Sequence, residues 1–540
     1  MNQKPNLIYI LADDMGYGDV SCLNPQAAFR TPNFDRLGRE GIRFTDAHAT
    51  SAVCTPSRYG ILTGRYNWRS ALKSGVLGGY SPALIEEGRK TVADLLRENG
   101  YATACVGKWH LGMDWPVKGG GTLRERPDFS EVPEVDFSAR IENSPVTRGF
   151  DYYFGISASL DMPPYVYIEN DRAVEAPDHR YPGVAALPDG APTLGYARPG
   201  PCAPDFRHEE VLPRLTQKAL EKIHEYKDRP FFLYFPLPAP HTPILPTEEF
   251  RGKSGANAYG DFCLMCDDVA GQVLRQLEAD GIADNTIVIF TSDNGCSPHA
   301  DFAGLAEKGH NPSYIFRGHK ADIYEGGHRI PLLIRWPAGI PAGQCCGETV
   351  CLCDLMATMA ELLGVSLPDD MGEDSVSNLS LWRGETPEHP LREATVHQSI
   401  DGSLSIRKGR WKLELCPGSG GWSYPRPGRD STEGMPEFQL YDLEADISEQ
   451  NNVYADHPDV AKELKTLLTR YVLDGRSTPG APQKNNGAPI WDTVLWLRRG
   501  NPAVNSTRQE TPRQIRERRD EPPFSAGVPR NDTANGEPRC

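Results

Sequence analysis

The sequence predicts an α/β fold: a large domain with a mixed, mostly parallel sheet flanked by helices, then a smaller C-terminal α+β domain. Three observations carry this. Four apolar runs of strand length recur along the chain, helical periodicity fills the intervals between them, and the pattern changes after Pro368. The boundaries that follow are 1–370 for the large domain, 371–475 for the smaller one and 476–540 for an extended tail. A chain of 540 residues can bury a core of that size.

The first run, Leu7-Ile8-Tyr9-Ile10-Leu11, is apolar throughout, as a strand buried on both faces must be, and it ends in Ala12-Asp13-Asp14-Met15-Gly16. Residues 286–291 repeat the arrangement and run into Ser292-Asp293-Asn294-Gly295. Residues 101–106 lead to Gly107-Lys108-Trp109-His110, and 231–235 lead through a proline-rich turn to His241. Helical patterns at 91–99, 212–227, 261–280 and 350–363 supply the crossovers that parallel strands need. Ligands of such sheets bind beyond the carboxyl ends of the strands, so these polar residues should converge.

Residues 116–200 are rich in Pro, Gly, Asp and aromatics without a sustained period, and read as long loops that shape a site over the sheet. Further on, 402–415 reads as a β-hairpin turning at Lys408-Gly409-Arg410, 439–443 as another strand, and 458–473 as a closing amphipathic helix. From Gly475 the composition is that of an extended tail, docked through Trp491 and Trp496 and disordered over about its last forty residues.

Lys and Arg number 57 against 73 Asp and Glu, a net charge of −16. That excludes a broad basic face for nucleic acid or for a long sulfated polymer, and leaves room for a small anion pocket. Thirteen cysteines lack the dense spacing of a disulfide scaffold and read as reduced thiols, Cys263 and Cys266 being two packed thiols on one helix. No apolar run is long enough to span a bilayer, and no leader precedes Leu7. This reads as cytoplasmic if the chain is complete, and as periplasmic or secreted if a leader has been removed.

The stretch Cys54-Thr55-Pro56-Ser57-Arg58, with Thr63-Gly64-Arg65 behind it, organises the rest. Thr55 is a good N-cap and Pro56 suits the first helical position, which places Cys54 just before a helix N-terminus, where anions bind. Asp13, Asp14, Asp293 and Asn294 add three carboxylates and an amide oxygen, a set suited to a hard cation such as calcium or magnesium. Any one of them alone would read as a cap or turn former. The other histidines, His299, His310, His319 and His328 among them, suggest no second ligand set.

These motifs together resemble the type I sulfatases, the formylglycine-dependent, arylsulfatase A-like branch of the alkaline-phosphatase-like superfamily. Cys-x-Pro-Ser-Arg with Thr-Gly-Arg matches the first signature, and Gly107-Lys108-Trp109-His110-Leu111-Gly112 the second. His241 after Pro240, Lys320 in Arg317-Gly318-His319-Lys320, and Glu325-Gly326-Gly327-His328-Arg329-Ile330-Pro331 also align, so the likeness is dense to just past Pro331 and loose beyond.

The resemblance implies that Cys54 is oxidised to formylglycine by a formylglycine-generating or anaerobic sulfatase-maturating enzyme. It implies one calcium held by Asp13, Asp14, Asp293, Asn294 and the modified Cys54. The hydrated aldehyde would attack sulfur with help from Asp293 and the metal, Arg58 stabilising it, while Lys108 and Lys320 hold the sulfate. His241 would protonate the leaving oxygen and His110 would take the proton whose removal frees sulfate. The implied substrate is a sulfated mono- or oligosaccharide attacked at a chain end, with no nucleic-acid or membrane partner. Trp68, Trp109, Trp115, Tyr152, Tyr153 and Tyr165 suit a sugar pocket and suit the core equally. The alternatives are a phosphate or phosphonate ester hydrolase of the same superfamily and a metal-dependent glycan-binding protein without turnover. The complete Gly-Lys-Trp-His element and Lys320 favour sulfate, and the filled catalytic positions favour an enzyme.

Overall fold

A computed structural model describes residues 4–129, 131–183, 195, 197–488 and 490–498. Among these residues the main sheet has ten strands. They are β1 (Asn6–Ala12), β2 (Ile42–Phe44), β3 (Ala102–Lys108), β4 (Tyr152–Ile156), β5 (Ile168–Glu169), β6 (Arg172–Ala173), β7 (Phe231–Pro236), β8 (Thr286–Ser292), β9 (Leu332–Arg335) and β10 (Gln344–Cys346). Their order is β10-β2-β9-β8-β1-β7-β3-β4-β5-β6. β1 is central and parallel to both β7 and β8, and β7, β3 and β4 continue the parallel run. β9 reverses direction between β8 and β2.

Every residue of β1, β3, β7 and β8 is buried, which is why each reads as a mainly apolar run. Helices α1 (Pro32–Glu40), α4 (Val211–Tyr226) and α5 (Ala258–Ala279) pack together, as do α2 (Cys54–Thr63), α3 (Val92–Glu98) and α6 (Leu355–Leu363). Thr91 caps α3 by accepting from the Asp94 N–H while Asp94 reaches back. Gly64 ends α2 at φ 64°, and a Cβ there would stand 2.9 Å from the Gly372 Cα, so two backbones meet where only glycine fits.

Three expectations change. Tyr152–Ile156 lies in the stretch read as loops, yet it pairs with β3 along its length and extends the sheet. Helix α6 begins at Leu355 instead of 350, because Val350 and Cys351 bridge to Ala47 and His48 as a short parallel pair. A strand at Thr395–Gln398, absent from the reading, edges an antiparallel sheet completed by Leu404–Lys408, Trp411–Glu414 and Gln439–Asp442. Helix α7 (Pro458–Asp474) packs on this small sheet.

Met1–Val494 forms one compact unit and Leu495 onward a second. In the first, residues of the tail lie against the segment that follows α2: Arg65 donates to the Lys484 carbonyl at 2.6 Å, and Trp491 donates to the Gly402 carbonyl at 3.1 Å beside Trp68. Trp496 belongs to the second unit, and the segment expected to be disordered falls outside the described residues. The described cysteines are free thiols, and no described helix is long and apolar enough to cross a membrane.

Candidate active site

The polar residues predicted to converge do so beyond the carboxyl ends of β1, β3, β7 and β8. Asp13 and Asp14 follow β1 directly, and backbone bonds tie Asp13 N to the Ala239 carbonyl at 3.0 Å and Asp293 N to the Ala12 carbonyl at 3.1 Å. Asp14 turns at φ 66°, a conformation aspartate tolerates better than most side chains, and its N–H donates to Asp293 Oδ1 at 3.2 Å.

Cys54 is itself the first residue of α2, so the helix starts two residues earlier than the expected start at Pro56. The N-cap is Val53, in extended conformation, because the first helical bond runs from Ser57 N to the Val53 carbonyl. Thr55 therefore lies inside the helix, where its hydroxyl accepts from Leu77 N at 3.2 Å. The Cys54 side chain is buried at the positive end of a ten-residue helix. Burial nonetheless pushes its thiol up to about 11 against the pull of Lys108 and Lys320.

Three cations interleave with three carboxylates here, all essentially inaccessible to solvent. Lys108 Nζ donates to Asp13 Oδ2 at 2.6 Å, and Lys320 Nζ donates to Asp14 Oδ2 at 2.7 Å. Arg58 grips Asp293 Oδ2 through Nε at 3.0 Å and Nη2 at 2.7 Å, and donates from Nη1 to the Lys108 carbonyl at 3.0 Å. Burial raises the Asp13 carboxyl, but Lys108, His241 and Arg58 outweigh it and hold it well below the usual carboxylate range. Burial and the Asp13 charge push Asp293 the other way, up to about 7.

The donor set fits a hard cation. Asp13, Asp14 and Asp293 each offer an oxygen within 4.8 Å of the others. Two buried acceptors beside them, Asp13 Oδ1 and Asn294 Oδ1, have no hydrogen-bond partner. Asn294 uses its amide nitrogen on Asp14 Oδ1 at 2.7 Å and the Gly295 carbonyl, which leaves its oxygen for a ligand role.

The two histidines are held in definite tautomers. His110, at φ 55°, has Nε2 2.7 Å from the Leu77 carbonyl, so Nε2 carries the proton and the buried, unpartnered Nδ1 is the base. Burial, with Lys108 and Arg58 adding to it, keeps this ring neutral well below the ordinary histidine range. His241 presents Nδ1 to the Thr242 carbonyl at 2.6 Å, leaving Nε2, 3.6 Å from Asp14 Oδ2, to face the cluster. Burial, then Lys320, lowers its pKa as well.

Five of the six aromatics settle on the core side of the two readings. Trp68, Trp109, Trp115, Tyr153 and Tyr165 are fully buried, with Trp109 and Trp115 donating to the Gly112 and Gly79 carbonyls, while Tyr152 is half-buried. Sequence reasoning missed the Leu77 carbonyl and Asp161. The carboxylate of Asp161 lies 4.0 Å from His241 Nδ1, and its signal in the sequence was a polar residue closely following a strand hidden in a loop-like stretch.

A mixed sheet that gathers carboxylates, two lysines, an arginine, two histidines and a helix-borne cysteine around one point defines a hydrolase of anionic esters. The sulfatase family model matches residues 5–365. An N-acetylgalactosamine-6-O-sulfatase of Bacteroides thetaiotaomicron is 37% identical over 503 residues, 86% of this chain and 93% of the relative. Human arylsulfatase A is 30% identical over 510 residues, 90% of this chain and 91% of the relative. A structure solved in work on the metabolism of multiple glycosaminoglycans by Bacteroides thetaiotaomicron superposes with a TM-score of 0.73 at 36% identity, covering 86% of this chain and 99% of that one. The chain belongs to the sulfatase family, whose members hydrolyse sulfate esters.

Proposed function

We propose that this sulfatase removes sulfate from a sulfated sugar at a chain end, with 6-O-sulfated N-acetylgalactosamine as the first candidate, using formylglycine made from Cys54 and one calcium ion. The observation that carries the reading is the convergence of Lys108, Lys320, Arg58 and His241 around Cys54, with His110 beside Lys108 and Arg58, next to an all-oxygen donor set. The sugar is suggested by the 37% identical relative, an N-acetylgalactosamine-6-O-sulfatase.

Asp13, Asp14, Asp293 and Asn294, with the oxygen that oxidation introduces at position 54, would hold calcium, which when bound supplies positive charge to polarise the sulfate oxygens. Oxidation also explains how position 54 becomes reactive: a buried thiol pushed up to about 11 stays protonated at neutral pH, whereas a hydrated aldehyde offers an oxygen nucleophile. A maturating enzyme must therefore act on this chain. Lys108 and Lys320 neutralise sulfate oxygens, and the preference for sulfate over neutral esters rests on them. Burial disfavours the Lys320 ammonium, yet Asp14, Cys54 and Asp13 hold its pKa above the ordinary lysine range, so it remains charged. His241, with Nδ1 committed to Thr242, delivers a proton from Nε2 to the departing sugar oxygen. His110 Nδ1 accepts the proton from the hydroxyl left on residue 54.

Sulfate release from a panel of position-defined sulfated sugars tests this. Turnover of 6-O-sulfated N-acetylgalactosamine above its 3-O- and 4-O-sulfated isomers is expected. Hydrolysis of phosphonate monoesters with every sugar sulfate left intact would overturn it.

A further inference from the structure

Beyond the end of β4 the chain runs Ser157-Ala158-Ser159-Leu160-Asp161, and three of its side chains are buried without hydrogen-bond partners: Ser157 Oγ, Ser159 Oγ and Asp161 Oδ1. Their residues are 3%, 2% and 4% exposed. A buried hydroxyl or carboxylate oxygen left unpaired costs about 1–3 kcal/mol, more for a charge, so three within five residues mark a place where something else completes the bonding. Three main-chain carbonyls of the segment are taken: His110 N donates to the Ser157 carbonyl at 3.0 Å, Met162 N to the Ser159 carbonyl at 3.0 Å and Arg198 N to the Asp161 carbonyl at 2.9 Å.

The segment lies against the proposed leaving-group side of the site. Asp161 Oδ1 is 4.0 Å from His241 Nδ1, on the ring whose other nitrogen is assigned to the sugar oxygen, and Ser157 follows the strand beside His110. Asp161 Oδ2 is taken by the Arg198 guanidinium, which fixes the carboxylate rotamer while leaving Oδ1 open. Arg198 is itself steadied by Phe129, whose ring centroid lies 5.1 Å from the guanidinium carbon. A carboxylate oxygen accepts only, and a serine hydroxyl both donates and accepts. Vicinal hydroxyls, each a donor and an acceptor, satisfy such a set, and a planar aryl ring satisfies none of it.

We propose that Asp161, oriented by Arg198, together with Ser157 and Ser159 forms the subsite that binds the ring hydroxyls of the sugar carrying the sulfate. The inference rests on the carbohydrate reading above and assigns which residues read the sugar. Asp161 Oδ1 accepts a hydrogen bond from the ring hydroxyl nearest the scissile ester, and the serines engage the next polar group on the ring. Sites that pair a substrate hydroxyl with a buried group reject analogues that lack it, because the protein group is then stranded.

The test compares kcat/KM for the mature enzyme on 6-O-sulfated N-acetylgalactosamine and on 4-nitrophenyl sulfate, in wild type, Asp161→Asn and Ser159→Ala. The sugar-to-aryl ratio should fall by roughly ten- to a hundredfold in Asp161→Asn and by about three- to tenfold in Ser159→Ala, and a 4-deoxy sugar sulfate should be affected less than its parent. Ser159→Ala, a small change, keeps the test open if Asp161→Asn misfolds. An unchanged ratio in both variants would overturn the subsite while leaving the carbohydrate reading intact. A wild type that cleaves 4-nitrophenyl sulfate and no sugar sulfate would overturn the carbohydrate reading, and the subsite with it.

Discussion

Lys108 Nζ lies 2.6 Å from Asp13 Oδ2, so a lysine assigned to the sulfate also neutralises a carboxylate assigned to the cation. The two jobs are coupled. Asp13, Asp14 and Asp293 face one another, each paired with one of Lys108, Lys320 and Arg58, and a bound cation would share these same carboxylates. Chelation should therefore abolish turnover and lower Tm together, and calcium added at a hundred times its Kd should restore about 2.7 kcal/mol of stability. Thermal melts and sulfate release with and without chelator check this. Full activity after exhaustive chelation, or stoichiometric zinc in the active protein, would count against the oxygen site.

Cys54 is a buried neutral thiol as translated, so turnover should track its conversion. Peptide mass spectrometry of active protein should find the Cys54 peptide lighter than its thiol form, in a fraction proportional to specific activity. Cys54→Ala should melt within a few degrees of wild type, since it removes only one small buried group, and should have no measurable sulfatase activity. Activity in a preparation holding only unmodified cysteine would exclude the oxidation.

A second group of titratable side chains joins the small sheet, through His397, to the short parallel pair that holds His48. His48, His328 and His397 are wholly buried, with His48 Nδ1 3.0 Å from His328 Nδ1 and the rings of His328 and His397 stacked at 3.8 Å and 6°. Their nitrogens lie within 4.8 Å of one another, a grouping the sequence did not suggest. Parallel ring planes cannot both point lone pairs at one ion, so this is a hydrogen-bonded stack, with Asp46, Glu325, Lys412 and Arg407 around it.

Burial lowers the pKa of all three rings, with Lys412 adding to the effect on His328. In the unfolded chain each histidine binds a proton as pH falls through 6.5, and in the folded chain it does so only lower still. Stability is therefore complete above 6.5 and is lost as pH falls below it, at about 1.4 kcal/mol per pH unit for each ring that stays neutral. Denaturant melts between pH 7.5 and 5 should show this loss, and His397→Gln should reduce the slope by about one proton's worth. Equal slopes in wild type and variant would mean that the ring titrates normally.

How much was legible follows from where each signal is written. β1, β3, β7 and β8 are buried on both faces, so their identity is local and unmistakable. β4 is five residues in a stretch rich in turn formers, and it is a strand because β3 lies beside it, which no local pattern records. The helix start shows the same limit: Thr55 and Pro56 have the right local chemistry, yet the ladder begins from Val53. The convergence of the candidate residues was legible because each follows a strand or sits in a dense motif. The histidine tautomers were not, since the Leu77 carbonyl that orients His110 lies 33 residues away. Nor was the role of Asp161, whose orientation depends on Arg198, 37 residues further on.

The His241 assignment is separable from simple sulfate binding by changing the leaving group. A sugar alkoxide is a poor leaving group and needs a proton in the transition state, whereas 4-nitrophenolate departs readily without one. His241 Nδ1 is bound to the Thr242 carbonyl, so removing the ring takes away one proton source at Nε2 and no permanent charge. His241→Ala should therefore cost about 10²- to 10⁴-fold in kcat on sugar sulfates and much less on 4-nitrophenyl sulfate. Lys108→Ala removes a buried positive charge that faces the sulfate whichever group departs, so it should slow both substrates by similar factors, on the order of 10²-fold or more. Steady-state rates of two variants on two substrates decide it. Equal losses in His241→Ala would move the acid role elsewhere, to His110, and would leave His241 as a sulfate ligand.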